Sequence, residues 1–386
     1  MRVLINMSRI LVLQRTIPRY REALFSRLCG SNDNEVTLVI SKNASGVKAK
    51  NDFNDTLIST IKLATYSIKI LGRRFWYQKG LLDVLVAEKP SIIVCEAESH
   101  FLGFWTAILY KIIFNRKVHL VQWCYYRLPG VDDERSWLHA FVKRMARSKI
   151  SHFISYTTHG KRYLNSKGVL PECVSVAVNV CDTAYWSSKF AKLEESNPRV
   201  ERAYGIDPFK VVYAGTLVAE KHPMLMLELA DKMCRANCEF IIAGSGELEE
   251  ELRRRIDARG LTNIKLLGRL NNDGMAELFH SANLLLLPGR GGVAISEALC
   301  MGCPVVVYQG DGVELDLLTS RDHGDIIVAR GVNDFVTAIQ GWIEDTERQK
   351  RSAGACCEVS RKYTTENMAE VFESVFYQLH LVNRDR

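Results

Sequence analysis

The segment Leu287–Val306 reads Leu-Pro-Gly-Arg-Gly-Gly-Val-Ala-Ile-Ser-Glu-Ala-Leu-Cys-Met-Gly-Cys-Pro-Val-Val. It has the layout of a strand, a loop with three glycines, a helix, a Gly-Cys-Pro stop and a second strand. The backbone amides of Gly291, Gly292 and Val293 at such a helix start form an anion cradle. Glu297, about one turn further on, suits ribose hydroxyls beside a bound phosphate. It stands in an apolar run where an idle charge would be costly. A second loop, Gly215-Thr216-Leu217-Val218-Ala219-Glu220-Lys221, puts a sharp-turning glycine and a phosphate-seeking lysine just ahead of a helix. A third, Gly244-Ser245-Gly246-Glu247, begins like a dinucleotide fingerprint. Its third glycine position holds Glu249, however, and no acidic residue follows a strand about 20 residues on, which argues against a nicotinamide site. These glycines let the chain pass close to a ligand or to a neighbouring domain.

All three loops follow short, near-continuous apolar runs, the pattern of strands buried on both faces. Such runs recur at Arg9–Gln14, Val36–Ser41, Ser91–Glu96, Val118–Cys124, His152–Tyr156 and Val174–Val178. In the second half they recur at Lys210–Gly215, Glu239–Gly244, Ile264–Gly268, Asn283–Pro288, Pro304–Tyr308 and Asp325–Ala329. Helical spacing between them, as in Pro223–Ala236 and Glu247–Arg259, predicts α/β architecture with parallel sheets. The polar stretch 189–208 breaks the pattern. It divides the chain into an N-terminal Rossmann-like domain over 1–188, a linker over 189–208, a C-terminal Rossmann-like domain over 209–365, and a helix over 366–386 that packs back on the first domain. Two such sheets facing across a cleft would place function in the strand-to-helix loops.

The chain has 386 residues, of which 47% are hydrophobic and 25% charged, so collagen, coiled coil and disorder are excluded. Eleven scattered cysteines fit free thiols in a reducing compartment. Phe101–Phe114, interrupted by Lys111, is too short to span a bilayer and is expected to be a buried core helix. Arg9, Arg15, Arg19 and Arg21 break any signal-peptide layout, so a cytoplasmic location is expected. Residues 1–190 carry 28 Lys and Arg against 14 Asp and Glu, whereas residues 191–386 carry 23 against 30. A basic half joined to an acidic half points to two domains with different partners.

Lys210–Val307 resembles the nucleotide-sugar-binding domain of the family-4 retaining glycosyltransferases, which have the GT-B fold. The resembling pieces are Tyr213–Leu217 with Glu220-Lys221, Ile242–Gly246, Leu267–Leu270, Ala282–Leu284 and Ser296–Val306. Upstream, Asn179–Trp186 is similar to the stretch that leads into that domain, and Arg15–Leu28 to the first loop and helix of the acceptor side. The resemblance implies a donor site in which Lys221 contacts the diphosphate and Gly291 to Val293 cradle it. Glu297 would hold the ribose, and Gly268, Arg269 and Leu270 would border the nucleobase; Gly215, Thr216 and Gly244 line the same loops. Two positions depart from the family pattern. Thr216 stands where an arginine is usual, and Gly289 where a sugar-contacting glutamate is usual; Arg290 beside it would supply positive charge.

What the resemblance implies overall is a GT-B enzyme moving a sugar, with retention, from a UDP- or GDP-sugar to a hydroxyl of a lipid-linked or surface-polysaccharide acceptor. It needs no metal and no further cofactor, and the chain contains no Asp-x-Asp. On the acceptor side, Glu96, Glu98 and His100 follow a strand where an acid/base group belongs. Arg19, Tyr20 and Arg21 are candidates for binding donor or acceptor phosphate. The run Lys143–Lys149 and the cluster Arg73-Arg74-Phe75-Trp76-Tyr77 mix cations with aromatics, as interfacial helices and single-strand nucleic-acid surfaces do. With a lipid-linked acceptor, docking to an anionic inner leaflet is the expected use, rather than nucleic acid. A catalytically silent GT-B scaffold and a sugar-nucleotide epimerase are the rival readings.

Overall fold

The structure is a computed structural model describing residues 8–42, 51, 53–54, 56–70, 73–96, 100–129, 137–198, 207–329 and 331–384. The chain divides into two units. The first comprises Met1–Arg127, Val131–Val178 and Thr365–Arg386, and the second Leu128–Gly130 and Asn179–Thr364.

In chain order the first unit holds β1 (Ser8–Leu13), α1 (Glu22–Cys29), β2 (Asn34–Ser41), β3 (Thr60–Leu63), β4 (Thr65–Ile70) and β5 (Arg73–Gln78). There follow α2 (Leu81–Glu88), β6 (Ile92–Glu96), α3 (Gly103–Ile113), β7 (His119–Cys124), α4 (Trp137–Arg147), β8 (His152–Ser155), α5 (Thr158–Ser166) and β9 (Val174–Val176). Seven strands form one parallel sheet in the order β3-β2-β1-β6-β7-β8-β9. Side chains alternate across a strand, so β1 sends Ile10 and Val12 into one core layer and Leu11 and Leu13 into the other.

The second unit holds α6 (Thr183–Ser196), β10 (Phe209–Ala214), α7 (Leu225–Lys232), β11 (Cys238–Ala243), α8 (Glu249–Arg259), β12 (Ile264–Gly268) and α9 (Asn272–Ser281). It continues with β13 (Leu284–Leu287), α10 (Ala294–Cys300), β14 (Val305–Tyr308), α11 (Glu314–Leu317), β15 (Gly324–Ile327), α12 (Val332–Glu344) and α13 (Thr346–Lys362). Its parallel sheet runs β12-β11-β10-β13-β14-β15, the doubly wound order that reverses between β10 and β13. The last helix, α14 (Thr365–Arg384), belongs to the first unit. There Met368, Phe372 and Phe376 join Phe25 and Trp123 in one core, and Arg27 of α1 pairs with Glu373 at 3.2 Å.

Three expectations change. The division falls after Val178, and residues 183–196 of the second unit are helical, so the stretch expected as a linker from 189 begins inside α6. Asp182 caps this helix by accepting from the Tyr185 amide at 3.1 Å. Trp186 packs on Phe279 at 6.0 Å between ring centres, and Glu194 bonds the buried His280 at 3.0 Å. The Arg73–Tyr77 cluster is strand β5, paired antiparallel with β4, and not an interfacial helix. Helix α3 is only half a core helix, since Phe104, Ala107 and Ile108 are buried while Leu109, Ile112 and Ile113 are exposed. All eleven cysteines lie outside disulfides, and Cys300 and Cys303, at Cys-x-x-Cys spacing, are both buried. Among the described residues no helix is long and apolar enough to cross a membrane, and no three His, Cys, Asp or Glu side chains gather as a metal site would require.

Candidate functional site

In an open parallel sheet, ligands bind beyond the carboxyl ends of the strands where the order reverses. In the second unit that point lies between β10 and β13, whose following loops carry Gly215–Lys221 and Gly289–Val293. The two loops touch. The Lys221 ammonium donates to the carbonyl of Arg290, and a Cβ placed on Gly292 would lie 3.8 Å from Lys221 Nζ. Burial lowers the Lys221 pKa, with Asp311 opposing the shift and Arg290 adding to it. A lysine held partly desolvated beside backbone amides gains most when an anion arrives. Helix α10 has only seven residues, so its dipole is small. The expected cradle at Gly291 to Val293 therefore depends on individual amides and on Lys221 rather than on a helix terminus.

The loop after β11 shapes this site from behind. A Cβ on Gly244 would lie 1.9 Å from the Gly215 carbonyl oxygen, so only glycine lets the two loops pack. Leu217 donates to the Ser245 carbonyl at 3.0 Å, and Gly244 donates to that of Gly268 at 2.8 Å. The close approach is therefore to the adjacent loop. Gly244 positions Thr216 and Lys221, while Gly268 and Leu270 close the row, with Arg269 exposed.

Gly289, the departure from the family pattern, has a local cause. A Cβ there would come within 2.7 Å of Lys221 Cα and of the Glu220 carbonyl oxygen, separations that folded chains do not tolerate. The backbone of Lys221 occupies the room a glutamate at 289 would need. Gly289→Glu is therefore expected to push Lys221 away and weaken nucleotide binding by about tenfold or more, the loss of a charged hydrogen bond. Calorimetric titration with UDP and GDP checks this; equal or tighter binding in the variant would remove the packing argument.

Glu297 lies in α10, half-buried. Burial pushes its carboxyl up to about 7, and no bond links it to Lys221 or Gly292. A carboxyl raised in the folded state contributes stability below its usual value near 4.5 and loses it as pH rises through about 7. Glu297→Gln should match the wild type in thermal melts at pH 4. At pH 8 it should exceed the wild type by about 1–2 kcal/mol, discounted because the carboxyl keeps some water contact. Coincident melting curves at pH 8 would contradict it.

In the first unit the reversal lies between β1 and β6, where Arg21 and Glu96 meet at 2.9 Å. Arg21 is only 8% exposed. It also donates to Gln14 at 3.0 Å and to the Tyr156 hydroxyl, and its guanidinium lies 4.4 Å from the centre of the Trp123 ring. Arg21, expected as a phosphate candidate, is a buried cation whose two terminal nitrogens bond within the protein, while its Nε has no hydrogen-bond partner. Glu96, expected as an acid/base group, is that cation's partner. Arg19 is exposed and Tyr20 half-buried. His100 is exposed, its ring 5.6 Å from that of Phe75 and its carbonyl accepting from the Trp76 amide at 2.8 Å. Glu98 lies outside the described residues. Sequence reasoning missed Asp311, in the loop after β14, which accepts the Gly292 amide hydrogen at 3.0 Å; no spacing rule links the two loops.

Residues 197–355, under half of the 386, match the family described as Glycosyl transferases group 1. Among curated proteins, an alpha-D-kanosaminyltransferase of Streptomyces kanamyceticus is 25% identical over 252 residues, 62% of this chain and 64% of that protein. A phosphatidyl-myo-inositol mannosyltransferase of Mycobacterium leprae is 26% identical over 151 residues, 37% of this chain and 39% of that one. The chain thus spans less than two thirds of the length of these relatives. Among solved structures, Anabaena HepE in complex with UDP aligns with a TM-score of 0.70 at 17% identity, covering 96% of this chain and all of that one. The fold is that of the GT-B glycosyltransferases.

Proposed function

We propose that the protein is a glycosyltransferase that moves a sugar, with retention of configuration, from a UDP- or GDP-sugar to a hydroxyl of a glycan or lipid-linked acceptor in surface-polysaccharide assembly. The observation that carries this reading is the meeting of the Lys221 ammonium with the Arg290 carbonyl and the Gly292 loop, at the point where the second unit's strand order reverses. The group 1 match over the same unit and the UDP-bound HepE neighbour support it. In this reading Lys221 and the loop amides neutralise the departing diphosphate, so EDTA leaves turnover unchanged. Glu297 faces the ribose, and the acceptor belongs to the first unit.

A thermal-shift panel of UDP, GDP, ADP and CMP tests the reading. A diphosphate present at about 100 times its Kd stabilises the fold that binds it by about 2.7 kcal/mol, and no shift with any of the four would reject the site. Thr216 and Gly289 favour a second reading, a catalytically silent scaffold of the same fold. Slow release of UDP or GDP from a sugar nucleotide by the purified protein would exclude it.

The first unit also carries exposed Leu109, Ile112, Ile113 and Phe114 on and just after α3, and Phe141, Arg144 and Met145 on α4. Apolar side chains beside cations are what an anionic lipid surface takes up, which supports peripheral docking at the inner face of a membrane. The protein is expected to co-sediment with phosphatidylglycerol vesicles at low salt and to be released as salt screens the charges. Equal sedimentation with neutral vesicles would count against this.

A further inference from the structure

One residue of the second unit already does what a donor phosphate would do. Asp311 is 4% exposed, and its Oδ2 accepts the Gly292 amide hydrogen at 3.0 Å. Its Oδ1 is buried with no donor on it, and the Glu314 carboxyl lies within hydrogen-bonding reach of Asp311. Lys221 approaches the same glycine and is close enough for Asp311 to favour its charge against the lowering effect of burial. Next to Asp311, Glu314 accepts the amides of Gly310 at 2.9 Å and Gly312 at 3.0 Å. Burial, with Asp311 beside it, pushes the Glu314 carboxyl up to about 7. A carboxylate and a phosphate are alternative partners for the same amide and ammonium, and two anions cannot share them.

We propose that Asp311 is a resident anion of the donor-phosphate subsite, so that a nucleoside diphosphate binds by exchange: the carboxylate leaves the Gly292 amide, and the phosphate takes that amide and pairs with Lys221. This rests on the donor-nucleotide reading above. The charged groups that act on Asp311 are Lys221 from the loop after β10 and Glu314 from its own segment, while Glu220 and Arg290 act on Lys221 in turn.

Calorimetric titration with UDP and GDP at pH 7.5 tests this with the full chain. Asp311→Asn keeps the shape and removes the charge. It is expected to tighten binding of the diphosphate by about tenfold or more. Unchanged or weaker binding in Asp311→Asn, with Lys221→Ala still weakening it, would overturn the exchange and make Asp311 a loop brace, leaving the donor site standing. No binding of either nucleotide by wild type and Asp311→Asn alike would sink the donor reading itself, and the exchange with it. Should the variant fail to fold, Asp311→Ser decides by the same titration: tighter binding than in the wild type supports exchange, and equal or weaker binding overturns it.

Discussion

Lys221→Ala is expected to weaken binding of UDP or GDP by roughly 5- to 150-fold, the worth of one charge-assisted hydrogen bond to phosphate, about 1–3 kcal/mol. The expectation follows from its place at the strand-order reversal, between the β10 and β13 loops. The ammonium is also the tie between those loops, so truncation lets the Gly292 segment drift and adds to the loss. Lys221→Arg separates the two effects. It keeps the charge but not the compact ammonium that fits beneath Arg290, so it should recover part of the affinity. Titration calorimetry at fixed ionic strength reads both variants, and wild-type affinity in Lys221→Ala would remove the donor site from this loop.

The largest stability effect is expected at Arg21. Arg21→Met leaves Glu96, Gln14 and the Tyr156 hydroxyl without their donor beneath Trp123. Breaking a buried ion pair by removing one member costs about 3–5 kcal/mol, because the remaining charge keeps its desolvation without its partner. Arg21→Met/Glu96→Gln should be less damaging than the sum of the single changes, since it removes both charges together. Urea unfolding of the four proteins, followed through tryptophan fluorescence, completes the cycle. Strict additivity, or a single-variant loss below about 1 kcal/mol, would show the pair to be an ordinary surface contact.

Most of the second unit could be read in advance because a parallel sheet covered on both faces leaves uninterrupted apolar runs, as in Val211-Val212-Tyr213 and Leu284–Leu287. The strands that escaped notice lack that signature. Thr60–Leu63 is a half-exposed edge, and β4 alternates apolar with polar residues around Tyr66 and Ile68, while its partner β5 sets Phe75-Trp76-Tyr77 between two arginines and Gln78. The period of two in β4 was the available signal. Polar composition likewise concealed α6, although Trp186, Phe190 and Leu193 recur at helical spacing. The loops of the candidate site were legible through Lys221 and the glycines. Asp311 and the crowding around Gly289 were not, because each depends on how two separate loops approach one another.

The return of α14 to the first unit bears on how the polypeptide is made. Met368, Ala369, Phe372, Val375 and Phe376 fill the layer over Phe25 and Trp123, yet they leave the ribosome only after all of Asn179–Thr364. The second unit can therefore close as one continuous stretch while the earlier-born sheet still waits, one greasy face bare, for its lid. The nascent chain must be shielded from sticking to its neighbours over that interval, and any truncation before Met368 should make the interval permanent.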